Sequence, residues 1–564
     1  MLDKLETNIH IASNKNIETS SKKSMFFVFF ICLVIAFIAI TIVSKCSFLY
    51  PFHDGNDINW FLTMGRGMVE GKVPYRDLFE QKGVLLYMLF ALNYLICGDQ
   101  LYFIYLIEII CGAAFLFLSF KIINLYLLYK SSLLGVLITA IIVFTSRAFW
   151  CGGGEAEEYC LPLFTYGLYI FLKSFRKDKD ISLIEGFICG LFAGIIFWIK
   201  YSMLVFYAAL GICIFIDFFI QKKASKTILF ALYFLIGMTL ISIPMIIYLG
   251  MNQALDDMWN IYILFNIFGY AEGRDFLTRI IELLVALGQV PLNFFLYIMV
   301  VFSLIYMWKV YNVNLRYKIS YSVLTLSTFL IQCLIMGNIG YYHLVMAAFV
   351  PFGIVGLPYC LTNIIAFFKA LSVSKKEKTE PFKNRFEIAY KNSDDAINKF
   401  LNDFNETKEK KNNIKVISIS LFALISTSLL FGNNTIELFY SKSYYPQFLA
   451  KEIIESYGKE DYSLLTYKMF DRGFYTVCDQ TPKFYYFAQN LVSEESYPQL
   501  FEEQESYVIN GEADFVVTEL STWEKEKADG QPLSKYEYVA DLSYVYIRSN
   551  LDRLNLKLCL LTIK

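Results

Sequence analysis

Residues 52–83 read FHDGNDINWFLTMGRGMVEGKVPYRDLFEQKG and form a polar stretch between two apolar segments. The run Met25–Val43 precedes this stretch and Val84–Ile96 follows it, and neither run contains a charged residue. The stretch therefore holds the carboxylates of Asp54 and Asp57 beside a lipid bilayer. Charge kept next to lipid is energetically costly and usually marks a functional site. We predict a membrane protein whose functional site includes this stretch.

The overall composition also indicates a membrane protein. Of its 564 residues, 56% are hydrophobic and 18% are charged, whereas a typical soluble domain carries about 25% charged residues. The formal net charge is −1, so no long-range field points to nucleic acid as a partner. We predict an α-helical polytopic membrane protein that contacts membrane lipids and does not bind nucleic acid.

About eleven segments have the length and hydropathy of membrane spans. The predicted spans are 25–48, 101–128, 131–149, 160–173, 182–199, 202–220, 227–249, 286–308, 319–337, 344–368 and 414–432. Residues 84–96 are equally apolar, but as a helix they extend only about 20 Å, against about 30 Å for the hydrocarbon core. We interpret them as an interfacial or re-entrant helix rather than a span.

Basic residues set the orientation of these spans. With the N-terminus in the cytoplasm, the basic loops 173–180, 221–226, 309–318 and 369–411 all lie inside, as the positive-inside rule expects. Counting residues 84–96 as a span would invert every later loop and break that rule. The predicted outer regions are then the loops 49–100, 150–159, 250–285 and 338–343 and the C-terminal tail.

This topology divides the chain into five parts. They are a cytoplasmic tail at 1–24, a transmembrane domain at 25–368 with its first outer loop at 49–100, a cytoplasmic linker at 369–413, a last span at 414–432 and an extracytoplasmic domain at 433–564. Strand and helix patterns alternate in the last part, which is typical of a small α/β domain. The predicted strands are Leu464–Tyr467, Asp514–Thr518 and Tyr536–Arg548, and the predicted helices are Phe448–Tyr457 and Lys483–Leu491.

Three outer loops carry residues that suit catalysis or binding. The first holds Asp54 and Asp57, which share one face if the segment is helical, and Lys82, a cation that could meet a lipid phosphate at the membrane border. The second, Cys151–Tyr159, has three carboxylates and no basic residue, and the third ends at His343.

Each of these features also has a plainer interpretation. A single aspartate at the end of a span is often an interfacial residue, an acidic outer loop is tolerated by the topology, and a histidine at a helix start is often a structural hydrogen-bonding group. The functional interpretation gains weight because all three loops fall on one face of the membrane, under an orientation set only by lysine and arginine.

The first outer loop resembles that of a known family. Asp54-x-x-Asp57, then GKVPYRDLFEQKG at 71–83 and an apolar helix, is similar to the pattern in bacterial GT-C glycosyltransferases. The nearest type is the protein-mannosyltransferase and aminoarabinose-transferase type, which is glycosyltransferase family 39-like. Those relatives often have Lys-Pro-Pro or Lys-Gly-Pro where this chain has Lys82-Gly83-Val84, and the missing proline leaves the start of the apolar helix open.

Two further segments extend the resemblance. The run GGGEAEEY at 152–159 is similar to the second outer loop of the family, and Tyr341-Tyr342-His343 resembles a later loop. Together the similar segments cover about residues 25–370. The resemblance implies a GT-C-like fold for the transmembrane domain.

The resemblance also implies an activity. It implies a hexosyl- or pentosyltransferase in a bacterial cell membrane that moves a sugar from a polyprenyl-phosphate donor to an extracytoplasmic glycan, lipid or protein. By this resemblance Asp54 is the preferred base for the acceptor hydroxyl, and Asp57 is its rival. Lys82, aided by Arg76, would neutralise the charge that develops on the leaving phosphate.

The second and third loops supply the remaining candidates. Glu155, Glu157, Glu158 and His343 would orient the acceptor or hold a divalent cation, because oxygen ligands suit Mg²⁺ or Mn²⁺. Lys82 already provides a positive charge, so the chemistry does not require a metal, and no cofactor is assigned.

Other functions remain open at this point. A transporter or lipid flippase places ionisable residues near the bilayer midplane, often in internally repeated halves, and here the spans carry few charges and no visible repeat. A non-enzymatic protein of envelope assembly would tolerate the loss of Asp54 or Lys82. A lipid-phosphate or glycan polymerase would also be a multispan enzyme with an outer loop. Only the pattern in the first outer loop distinguishes a glycosyltransferase from such a polymerase.

Overall fold

The computed structural model describes residues 22–149, 152–269, 276–288, 290–335, 340–372, 381–406, 410–489, 492, 494–549 and 552–564. Helices make up most of these residues, and the strands in the described ranges all lie after residue 463.

The helices follow the apolar segments of the sequence. They are α1 Lys22–Val43, α2 Asn56–Val69, α3 Val84–Cys97, α4 Tyr102–Asn124, α5 Tyr129–Phe144, α6 Ala156–Lys177, α7 Leu183–Lys200, α8 Val205–Ile220, α9 Ala224–Met251, α10 Leu255–Met258, α11 Phe276–Gly288, α12 Phe294–Lys309, α13 Leu315–Ile335, α14 Val350–Leu371, α15 Phe382–Glu406, α16 Lys410–Phe431, α17 Pro446–Ser456, α18 Phe474–Val477, α19 Pro498–Asn510 and α20 Leu520–Glu526. A π-helix covers Trp259–Gly269 and a 3₁₀ segment covers Gly340–Phe349.

Several of these helices are long and apolar enough to cross a membrane. Six segments of the described residues qualify by length and composition, namely Met25–Val43, Tyr102–Asn124, Leu183–Ile220, Ala224–Met251, Pro291–Lys309 and Gly340–Leu371. Shorter apolar helices occupy Val84–Cys97, Tyr129–Phe144 and Ile417–Phe431. The predicted helical polytopic fold is confirmed, whereas the number of eleven spans stays a prediction.

The first outer loop folds into a helical hairpin. Ten consecutive residues of α2, Ile58–Gly67, are buried, because the helix is enclosed by α3 and by the C-terminal part of the chain. A Cβ atom on Gly65 would lie 2.5 Å from the backbone nitrogen of Ala91 in α3. Glycine thus permits a close helix–helix contact that fixes α2 against the short apolar helix.

The C-terminal part is a small α/β unit, as predicted. Its strands are β1 Leu464–Thr466, β2 Phe515–Glu519, β3 Tyr536–Asp541, β4 Tyr544–Ser549, β5 Asp552–Leu556 and β6 Leu558–Ile563. A four-stranded sheet has the order β1-β2-β6-β3, with β1 and β2 parallel and the other pairs antiparallel, and β4 and β5 form a separate hairpin. The predicted single strand Tyr536–Arg548 is wrong, because β3 pairs with β6 whereas β4 pairs with β5.

The predicted helix Lys483–Leu491 is also wrong over its described residues, 483–489, which form turns and bends. Their backbone groups bond to other segments instead of to one another. The carbonyl of Tyr485 accepts a hydrogen bond from the backbone N–H of Phe79 at 3.1 Å, and the carbonyl of Phe487 accepts one from the hydroxyl of Thr466 at 2.8 Å. These contacts tie the segment to the first outer loop and to β1.

The C-terminal part packs directly on α2. The hydroxyl of Thr63 donates to the carboxylate of Asp471 at 2.9 Å, and Arg66 forms an ion pair with Asp479 at 2.5 Å. The rings of Trp60 and Phe487 meet edge to face with centroids 5.3 Å apart. The C-terminal part and the first outer loop therefore lie on the same side of the membrane.

Candidate active site

Three consecutive glycines shape the second outer loop. Gly152, Gly153 and Gly154 have φ angles of 88°, 95° and 80°, in the left-handed region that only glycine adopts readily. A Cβ atom on Gly153 would lie 2.2 Å from the hydroxyl of Ser44 and 2.3 Å from the carboxylate of Glu108. The turn therefore packs closely against Ser44, just after α1, and against Glu108 of α4, and it places Glu155 at the N-cap of α6.

His53 connects the first outer loop to this glycine turn through hydrogen bonds. Its Nδ1 accepts a hydrogen bond from the backbone N–H of Gly55 at 3.1 Å, which leaves the proton on Nε2, and Nε2 donates to the carbonyl of Gly153 at 3.1 Å. Burial, helped by the nearby charge of Lys45, lowers the pKa of His53 to about 3. The imidazole is thus a neutral structural link between the two loops.

Asp54 lies in a buried ion-pair network. One carboxylate oxygen is 3.0 Å from the ammonium of Lys45, and the other accepts a hydrogen bond from the hydroxyl of Tyr544 in β4 at 3.3 Å. Lys45 also pairs with Glu437 at 2.6 Å. Asp54 precedes α2 rather than lying on it, so Asp54 and Asp57 do not share one helical face. Both carboxylate oxygens of Asp54 are already bonded, one to Lys45 and the other to Tyr544.

Asp57 occupies a different position, in the first turn of α2. Its carboxylate accepts a hydrogen bond from the hydroxyl of Tyr341 at 2.9 Å, which joins the first and third outer loops. Its negative charge also acts on Glu155 in the second loop. Asp57 is therefore the aspartate at which the three predicted outer loops meet.

Lys82 is held at the end of the first loop by Glu80 and by the end of α7. The carboxylate of Glu80 accepts a hydrogen bond from the backbone N–H of Lys82 at 2.9 Å and lies 3.8 Å from its ammonium. The backbone N–H of Gly83 donates to the carbonyl of Ile199 at 3.0 Å, and a Cβ atom on Gly83 would lie 2.0 Å from the carbonyl oxygen of Trp198. Glycine at this position lets the loop approach α7 closely.

Lys200, at the end of α7, adds a second cation. Its ammonium forms a buried ion pair with Glu157 at 2.6 Å and lies over the rings of Tyr342, at 3.9 Å from the centroid, and Tyr341, at 5.6 Å. A cation over an aromatic face is stabilised by the ring quadrupole. Lys200 therefore stands between Glu157 of the second outer loop and the tyrosines of the third.

Glu155 lies in the electrostatic field of this whole cluster. Burial, followed by the charges of Asp57 and Glu157, raises the pKa of Glu155 well above its ordinary value, against the opposing effect of Lys200 and Lys82. Its Oε2 is buried and has no hydrogen-bond partner among the described residues. We call Asp57, Lys82, Glu155, Glu157, Lys200 and Tyr341 the outer cluster.

The remaining candidate residues lie elsewhere. Arg76 is on the surface, where it pairs with its neighbour Asp77 at 2.8 Å and donates to the carbonyl of Asn252 at 2.8 Å. Glu158 lies next to Glu108, and burial followed by that charge raises the pKa of Glu158. His343 is buried with Nδ1 against the hydroxyl of Tyr297. The structure does not bring Arg76 to the outer cluster. Glu158 and His343 pack against other residues, Glu108 and Tyr297.

No group of three histidine, cysteine, aspartate or glutamate side chains suited to a metal ion occurs within the described ranges. The carboxylates nearest Asp57 are instead accompanied by two lysines. The divalent cation considered from the sequence stays a prediction.

The pKa of Glu155 leads to a prediction about pH. The folded state favours the protonated form of Glu155. The contribution of this residue to folding stability is therefore complete below the ordinary pKa of about 4.5, and it is lost as the pH rises from there toward the raised pKa. We expect Glu155→Gln to unfold at a higher temperature than the wild type at neutral pH, and the difference to vanish near pH 4. Thermal unfolding in detergent across this range tests it, with the exposed Glu524→Gln as control. A difference that grows as the pH falls would contradict the assignment.

Two residues of the site were not singled out as such from the sequence. Lys200 stands at the end of an apolar helix, and the only signal was a single charge that follows the uncharged run Gly186–Ile199. Lys45, directly after the first span, gave the same kind of signal. Their partners, Glu157 and Glu437, could not be assigned because contacts between distant segments depend on how the helices pack.

Comparisons with known proteins agree with this architecture. ArnT from Cupriavidus metallidurans, in its crystal structure bound to undecaprenyl phosphate, is similar over 96% of this chain and 98% of its own, with a TM-score of 0.56 and 12% identity. The apo structure of the same protein gives a TM-score of 0.53, 12% identity and coverage of 95% and 97%. This similarity confirms the expected GT-C fold.

A weaker similarity involves AglB from Archaeoglobus fulgidus, an archaeal oligosaccharyltransferase solved in complex with an inhibitory peptide and a dolichol-phosphate. It matches with a TM-score of 0.44 and 11% identity over 95% of this chain and 76% of its own, and a score this low supports no further statement. No curated protein matches the sequence. A sequence-family model, the N-terminal domain of the competence-induced protein Ccs4, matches residues 12–384. The chain therefore belongs to the competence-induced protein Ccs4 N-terminal domain family.

Proposed function

We propose that this protein is an integral membrane glycosyltransferase that moves a sugar from a polyprenyl-phosphate donor to an acceptor hydroxyl outside the membrane. The observation that carries this proposal is the outer cluster itself. A carboxylate, Asp57, and two lysines, Lys82 and Lys200, come from separate segments, and their charges all act on the buried Glu155 beside the outer ends of apolar helices. A base beside cations at a membrane border suits the removal of a sugar from a lipid phosphate.

The arrangement accounts for each part of the transfer. The acceptor oxygen attacks the anomeric carbon, its proton passes to the carboxylate of Asp57, and the bond from that carbon to the phosphate oxygen breaks. The phosphate leaves with an added negative charge, which Lys82 and Lys200 face. Fixed positive groups aimed at developing charge are more effective in a buried site than in water. Glu157 holds Lys200 in place, and Glu155 offers an unpartnered carboxyl oxygen for a sugar hydroxyl group.

The fold supports the choice of donor. ArnT, to which this chain is similar in fold, was crystallised with undecaprenyl phosphate. A polyprenyl chain would lie among the apolar spans while its phosphate reaches the border at which Lys82 stands.

A transfer assay on purified full-length protein in lipid nanodiscs tests the proposal. It would compare polyprenyl-phosphate hexoses and pentoses with the corresponding nucleotide sugars, and follow release of free polyprenyl phosphate. We expect release from at least one lipid-linked sugar and none from the nucleotide sugars. Turnover of nucleotide sugars alone, or release that is the same for the wild type and for Asp57→Asn, would contradict the proposal.

Lys82 should affect both binding of the donor and its reaction. Replacing it with alanine removes a charge-assisted contact to phosphate, which is worth about 1.5–3 kcal/mol. We therefore expect Lys82→Ala to weaken donor binding by about tenfold or more and to slow transfer as well, while Lys82→Arg keeps part of both. Lys72→Ala, on the same loop, serves as the matched control. Unchanged donor affinity in Lys82→Ala would mean that this lysine only anchors the loop.

A further inference from the structure

A polar cavity lies on the far side of α2 from the outer cluster. It has a volume of about 260 Å³ and is lined by the segment after α1, by the start of α4 and by the C-terminal part. Asn59 and Leu62 form its wall on α2. At about 100° per residue, they lie about 200° and 140° around the helix from Asp57. The cavity is therefore separate from the candidate reaction centre.

The charges in this cavity are mainly positive. Lys45, Lys442 and Lys451 line it together with a single carboxylate, Asp99. Arg66 lies 3.5 Å from that carboxylate and offsets it. Lys45 is already held between Asp54 and Glu437. Lys451 has a looser ion pair, at 3.8 Å, with the exposed Glu455, so Lys442 and Lys451 are the cations that can turn to a ligand. Such a site favours an anion.

The aromatic rings beside the cavity and its position at the ends of two candidate spans favour an anion that is attached to a lipid. Phe448 stacks its edge against Phe52, and the ammonium of Lys442 lies 5.4 Å from the centroid of the Phe448 ring. The cavity opens between the end of one candidate span and the start of another at Tyr102. Phe48 beside it is 58% exposed, which in water would be costly but in lipid would not.

We propose that this cavity holds the phosphoryl headgroup of an anionic membrane lipid, with Lys442 and Lys451 at the phosphate and Phe48 and Tyr102 against the lipid chains. Basic pockets at the ends of membrane helices are suited to lipid headgroups. The bound lipid would fix the C-terminal part on the first outer loop, because the cavity is built from both. This inference is independent of the transferase proposal, since no residue of the outer cluster lines the cavity.

Lipid retention tests the inference. Full-length protein would be reconstituted with equal parts of phosphatidylglycerol and phosphatidylcholine, washed in detergent, and its bound lipids quantified by native mass spectrometry. We expect Lys442→Ala/Lys451→Ala to retain at least fivefold less phosphatidylglycerol than the wild type, with phosphatidylcholine unchanged, and the corresponding double arginine variant to retain it. Lys525→Ala/Lys557→Ala removes the same charge from exposed positions and should behave as the wild type.

Other results would overturn the inference. Equal loss of phosphatidylglycerol in both alanine pairs would mean that only net charge matters. Displacement of the lipid by an equal concentration of inorganic phosphate would mean that the site takes a free phosphate instead. The proposed function is tested separately, because Asp57→Asn should keep the lipid while it loses transfer, and the Lys442→Ala/Lys451→Ala variant should keep transfer within about threefold.

Discussion

Asp57→Asn is expected to reduce sugar transfer by about 10²- to 10⁴-fold, the range that removal of a general base typically produces. The substitution keeps the size of the side chain and an oxygen that can accept the hydrogen bond from Tyr341. The loss should therefore appear in kcat, with little change in the donor KM or in the unfolding temperature. Initial rates of polyprenyl phosphate release, measured on purified protein at saturating donor, provide the test.

Asp54→Asn is the matched control for this experiment. Its carboxylate is bound to Lys45 and Tyr544, and Lys45 would keep its second partner, Glu437, in the variant. We expect Asp54→Asn to keep at least a tenth of the wild-type rate. If Asp54→Asn lost transfer and Asp57→Asn kept it, the base would be Asp54, as the sequence resemblance preferred.

The difference between the two aspartates shows what could be inferred from sequence. The outer loops, their acidic and basic residues and the α/β nature of the C-terminal part follow from local composition and periodicity, which a single sequence displays. The choice between Asp54 and Asp57 depends on where α2 begins and on partners far away in the chain, such as Tyr544, which is 490 positions from Asp54. Local patterns carry no information about such contacts.

Two other differences have the same cause. The segment at 483–489 has the composition of a helix, but its carbonyls bond to the first outer loop and to β1. Arg76 appeared suited to phosphate, yet its neighbour Asp77 takes the guanidinium at 2.8 Å. The adjacent carboxylate was visible in the sequence and would have predicted this local pair.

The second large effect concerns the junction of the membrane part and the C-terminal part. Lys45 stands between Asp54, at 3.0 Å, and Glu437, at 2.6 Å, with 2% of its side chain exposed. Lys45→Met keeps most of the volume but leaves two buried carboxylates facing each other. Removing one partner of a buried ion pair typically costs about 3–5 kcal/mol. We expect a pronounced loss of stability in detergent, visible as a lower unfolding temperature.

A rescue experiment separates charge from packing. The triple variant Lys45→Met, Asp54→Asn and Glu437→Gln removes both uncompensated charges and should recover most of the stability, because a buried ion pair can often be replaced by neutral groups at little cost. Lys459→Met breaks the ion pair with Asp514, in which half of the lysine side chain is exposed, and should change the unfolding temperature far less. If Lys45→Met were no worse than Lys459→Met, or if the triple variant were no better than Lys45→Met, charge balance would not be what joins the two parts. Burial raises the pKa of Glu437 to about 7 even though Lys45 lowers it, so removal of that lysine should raise this pKa further. Protonation of Glu437 as the pH falls should then partly relieve Lys45→Met, and the destabilisation should be larger at pH 8 than at pH 6.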